Sequence, residues 1–122
     1  MKYLKFFLTA LMVAVLAAQC APAAKPEVTT ESKLPLFYGA FATPIEEPWD
    51  GVIHSALLQA ASEGKIKYEY TDDIGYAGDM ERVLREIAEN SKPAAIFGDA
   101  FGNEEAVRRV AVDYPEIAFA FG

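Results

Sequence analysis

Carboxylates and flat rings stand side by side in three short stretches of this 122-residue chain. Glu46, Glu47 and Asp50 flank Trp49, the only tryptophan; Asp72 and Asp73 are adjacent; Asp99 lies two residues before Phe101. An ionised carboxylate accepts hydrogen bonds from paired hydroxyls. An aromatic face stacks on a ring, and each stacked base contributes about 1–3 kcal/mol. A sugar or a nucleoside is the ligand these side-chain types suit. Glu46, Glu47, Trp49, Asp50, Asp99 and Phe101 are therefore the candidate ligand-binding residues.

Other chemistries lack their residues. No Gly-x-Gly-x-x-Gly follows the first apolar run, and no Gly-Lys-Ser/Thr phosphate loop or Gly-x-Ser-x-Gly elbow occurs. Acidic loops would also repel nucleotide phosphates. His54 is the lone histidine and sits four residues after Asp50, where it reads as a partly exposed helical residue. Asp72-Asp73 reads as a solvated turn, because an acidic phosphoacceptor pocket would follow the first strand and this pair follows the second. The reading calls for no catalytic residue, no metal and no cofactor.

Alternating strands and helices must carry these loops. Leu36–Phe41 is a continuous apolar run, as in a parallel strand buried on both faces. Pro48 suits the first turn of a helix, and Val52, Ile53, Ala56, Leu57 and Ala60 recur inward at helical spacing up to Gly64. Ile66–Tyr70 alternates like a strand with one wetter face. Met80, Val83, Leu84, Ile87 and Ala88 form the inner stripe of a second helix, which Pro93 closes. Ala94–Gly98 is a third strand. Asn103 is placed to cap a helix whose inner face holds Ala106, Val107, Val110 and Ala111, with Glu104 and Glu105 favourable in its first turn. Ile117–Phe121 is a fourth strand. The order βαβαβαβ predicts an α/β fold, a parallel sheet with helices on both faces. Ligands in such folds collect at the carboxyl ends of the strands, near the point where strand order reverses. The three acidic and aromatic stretches fall on those loops.

The N-terminus has a separate purpose. Lys2 and Lys5 precede an apolar stretch, Phe6–Ala18, which is shorter than the roughly 20 residues that span a bilayer. Leu16-Ala17-Ala18-Gln19-Cys20 follows, placing the only cysteine where a bacterial lipobox would have it. Residues 1–20 then read as a lipoprotein signal peptide, with Cys20 acylated and anchoring the chain to the outer side of the cell membrane. Cleavage after Ala21-Pro22-Ala23, giving a secreted soluble protein, is the alternative. Residues 21–34 read as a flexible linker, and 35–122 as the ligand-binding part. Losing Lys2 and Lys5 takes the formal charge from −7 to −9, which argues against nucleic acid as a partner.

Four segments in order and spacing resemble the basic membrane protein family. They are Phe41–Gly51, Asp79–Glu86 with its Glu-Arg-Val-Leu-Arg core, Gly98–Asn103, and Asp113–Ala120. Members are lipoprotein substrate-binding components of ABC transporters, related to purine nucleoside receptors. The resemblance implies a type I periplasmic binding protein fold, in which two lobes close on a ligand, and an ABC permease as partner. Glu46 and Glu47 match the family's Asn-Asp pair, Asp50 a further Asn, and Phe101 an aromatic against the ligand. Acid in place of amide removes donors but keeps hydroxyl recognition. The chain's length implies part of the N-terminal lobe, so this piece by itself is expected to bind weakly. A secreted glycoside-type hydrolase using Glu47 and Asp50 is the alternative from another class.

Overall fold

The computed structural model describes residues 33–122. The signal peptide, Cys20, both cleavage alternatives and most of the linker lie outside the described residues. The order of elements is β1 (Leu36–Ala40), α1 (Pro48–Ser62), β2 (Lys67–Thr71), α2 (Asp79–Asn90), β3 (Ala95–Gly98), α3 (Glu104–Asp113) and β4 (Ala118–Phe121). All strand pairs are parallel, in the order β2-β1-β3-β4. The α/β class is as the alternation of textures predicts.

Local chemistry explains the boundaries. Pro48 occupies the first turn of α1, where its missing N–H costs nothing. Gly64, at φ +70°, takes the left-handed conformation that ends α1. Its N–H donates to the Ala61 carbonyl and that of Lys65 to Ala60, the paired bonds of a Schellman stop.

Two helices cover one face of the sheet. Met80, Leu84 and Ile87 of α2 and Val107 and Val110 of α3 pack on Ala40 and Ile96. Arg85 clamps this layer, reaching Glu81 at 3.0 Å and Asp113 at 2.9 Å, while Arg109 reaches Glu81 at 2.9 Å. The inner stripes predicted for α2 and α3 are the ones buried, with Val83 and Ala111 half-covered.

On the other face, α1 differs from expectation. Val52 is 70% exposed and Ala56 is exposed, so neither faces inward. Ile53 and Leu57 do turn inward as expected, with Ala60 half-covered, and Asp50 and His54 join them on that side. Apolar residues surround this helix, so its sequence does not single out one face; the aromatic sheet surface decides. His54 Nδ1 lies 2.9 Å from the Tyr68 hydroxyl, and the ring meets Tyr70 at 4.7 Å between centroids. The lone histidine is thus a half-buried packing residue. Burial, with Tyr70 and Asp72 nearby, pushes the Tyr68 phenol up from its ordinary value and keeps it neutral. Among the described residues, no helix is long and apolar enough to cross a membrane.

Candidate functional site

The strand order reverses between β1 and β3, and the loops leaving these two strands meet at their carboxyl ends. In the first turn of α1, directly after the β1–α1 loop, Asp50 is wholly buried. Its Oδ2 accepts hydrogen bonds from the Thr43 N–H at 2.9 Å and the Thr43 hydroxyl at 2.6 Å. Its Oδ1 is buried without a partner among the described residues. Asp50 was expected to face a ligand; here it faces inward and folds the loop back on the start of α1. The first turn of a helix whose outer side carries Trp49 must send residue 50 toward the sheet.

The β2–α2 loop lies along the first one. The Gly75 N–H donates to the Ala42 carbonyl at 2.8 Å, and that of Ile74 to Phe41 at 3.1 Å. Asp72 Oδ2 accepts from the Ile45 N–H at 3.2 Å. Asp72 therefore ties two loops together, whereas Asp73 is exposed. With the loop pinned at Thr43 and Ile45, Glu46 and Glu47 are left exposed at its tip, and Trp49 is 72% exposed.

The β3–α3 loop turns on Asp99, which retains only 9% of its exposure. Its Oδ1 accepts the Phe101 N–H at 2.8 Å. Gly102, at φ +72°, takes the left-handed turn, and a Cβ there would approach the Tyr76 ring to 2.9 Å. Phe101 is 77% exposed and meets Tyr76 edge-to-face at 6.3 Å. Asn103 is at the helix cap, but its side chain donates to the Gly75 carbonyl at 3.3 Å instead of to α3. The expected cap serves as a latch between loops.

These loops frame an open cavity of about 670 Å³ lined by Trp49, Asp99, Phe101, Glu104, Arg108 and Phe121 among others. Of the six candidates, Trp49, Asp99 and Phe101 share this cavity. Glu46 and Glu47 are outside its lining and Asp50 is beneath the loop. Sequence reasoning missed Tyr76, which backs Phe101, and Thr43, which holds Asp50. It also missed the Glu104–Arg108 pair on the cavity wall at 2.7 Å, although the spacing of four on a helix announces it. Chemically, the arrangement offers two ring faces and a spare carboxylate oxygen, Asp99 Oδ2, which has no protein partner among the described residues. Compared with family models and with curated proteins, the chain matches none.

Proposed function

We propose that this chain is the ligand-capturing part of an extracytoplasmic solute-binding lipoprotein, anchored through Cys20, which hands a nucleoside or similar small polar molecule to an ABC permease. The observation that carries the reading is the meeting of Trp49, Asp99 and Phe101 at one cavity beside the reversal of strand order. Flat rings supply stacking area, and the spare Asp99 oxygen accepts a hydroxyl. The resemblance to the basic membrane protein family supports the same reading, with this sheet as part of the first lobe of a type I periplasmic binding protein. Capture is non-covalent, and closure of a second lobe is the working step.

The hydrolase alternative requires two carboxylates facing one sugar. Asp50 is buried and held by Thr43, which counts against it. Trp49 lines the cavity and can report on it, its emission identified by its loss in Trp49→Phe. Titrating the full-length protein with nucleosides and sugars should change its tryptophan emission saturably, and Asp99→Asn should weaken that response. No change with any of these ligands would count against the reading. Incorporation of radiolabelled palmitate, lost in Cys20→Ser, tests the anchor.

A further inference from the structure

We infer that the guest of this cavity is a flat ring bearing a positive charge, such as a quaternary or protonated aromatic amine. The inference rests on the solute-binding reading above and names the ligand class for it. Two large aromatic side chains, Trp49 and Phe101, are about three-quarters exposed, and both line the cavity. Their faces are the negative side of a quadrupole, and a cation above such a face is attracted, more strongly as water is removed.

Asp99, nine-tenths buried, lines the same cavity. Only its Oδ1 is used, by the Phe101 N–H. Its Oδ2 has no protein partner among the described residues and stays open to the cavity, so a cation there is attracted and an anion repelled, with salt screening both.

The remaining charges point the same way. Arg108 is the only basic side chain of the lining. Glu104 Oε1 holds it at both Nε, 3.1 Å, and Nη2, 2.7 Å. Asp99, Glu104 and Arg108 together leave the lining with one negative charge. The N-terminus of α3 adds partial positive charge here, and Glu104 and Glu105 in its first turn offset it. Glu46 and Glu47 are exposed beside Trp49. The described lysines, Lys33, Lys65, Lys67 and Lys92, all precede or open strands, so they sit at the opposite end of the sheet. Among the described residues, a phosphate would therefore meet no free cation at this mouth. A neutral purine edge would find acceptors but, beyond the Trp49 indole and the engaged Arg108, no side-chain donor.

The test uses three ligands on one pyridine ring and of different charge: 1-methylnicotinamide, methylated on the ring nitrogen (cation), nicotinamide (neutral) and nicotinate (anion). The readout is the Trp49 indole N–H resonance of the full-length protein, assigned by its loss in Trp49→Phe. The cation should saturate its shift at a concentration on the order of tenfold lower than nicotinamide, a cation–π and carboxylate preference of that size. Nicotinate should produce no saturable shift. Raising salt should weaken the cation alone, and Asp99→Asn, whose oxygen can still hold the Phe101 N–H, should erase the difference between cation and neutral ligand. Equal or tighter binding of nicotinamide, or of uncharged adenosine over every cation tried, overturns the charge assignment and leaves solute binding standing. A resonance unmoved by cations, nicotinamide and nucleosides alike overturns both.

Discussion

Replacing Thr43 with Val tests whether Asp50 is a structural or a ligand-facing group. Valine keeps the shape of threonine and the Thr43 N–H bond to Asp50 Oδ2, but removes the hydroxyl donor at 2.6 Å. That oxygen belongs to a wholly buried carboxylate whose other oxygen already lacks a protein partner. A hydrogen bond to a charged group contributes roughly 1.5–3 kcal/mol, and losing one partner leaves the charge still buried. Because the contact is half-buried, the lower part of that range applies, about 2 kcal/mol. For a domain of this size it corresponds to about 8–16 °C in Tm. Urea denaturation followed by circular dichroism, with a calorimetric melt alongside, measures both quantities. Glu47→Gln is the control: Glu47 is exposed at the start of α1 and makes no side-chain cap bond, so stability should stay within about 0.5 kcal/mol. A Thr43→Val protein as stable as its parent would refute the assignment of Asp50 to the loop's foundation. The position would then return to the list of ligand contacts.

Four other substitutions probe separate parts of the molecule. Gly102→Ala puts a methyl against the Tyr76 ring at a left-handed backbone position, and should cost about 1–3 kcal/mol in denaturant melts while broadening the Phe101 ring resonances. Hydrogen bonds from Arg109 and then Arg85 hold the Glu81 carboxyl below its ordinary value. A depressed folded value means its contribution is present above the ordinary carboxylate range and fades as pH falls through the lowered value. Glu81→Gln should therefore lower the urea midpoint at neutral pH and narrow its gap to the parent on acidification; a constant gap would contradict the linkage. Leu84→Ala, in the closed core, should cost about 2–5 kcal/mol, whereas Val52→Asp on the outer side of α1 should change stability by no more than about 0.5 kcal/mol.

The fold was legible wherever the apolar spacing was one-sided. Met80, Leu84, Ile87 and Val107, Val110 repeat at helical intervals amid charges, so α2 and α3 declared their inner faces. Pro48 and Gly64 marked the ends of α1, but its inner face was not legible, because Val52 and Leu58 are as apolar as Ile53 and Leu57. Only the partner surface distinguishes them: Phe41, Tyr68 and Tyr70 form an aromatic floor that accepts the His54 ring. For the site, residue type identified Trp49, Asp99 and Phe101. It could not tell an acid that binds from an acid that builds. Asp50, Asp72 and Asp99 are chemically equal and each holds a backbone N–H with one oxygen, but of the three only Asp99 lines the cavity. Asn103 has the type and position of a cap, but a carbonyl from another loop outcompetes its own helix.

The division of labour among these acids has a geometric cause. Three loops leave adjacent strands and must cross open space before their helices begin, with carbonyl and N–H groups that a sheet no longer pairs. Asp50 and Asp72 satisfy donors in the first loop, and Asn103 satisfies an acceptor in the second. Asp99 does the same for Phe101 with one oxygen and keeps the other. Above this hydrogen-bonded layer Trp49 and Phe101 stand exposed at the cavity. A rigid base therefore presents two rings and one spare carboxylate oxygen together, the preorganisation that a small flat ligand needs if ordering the site is not to consume its binding energy.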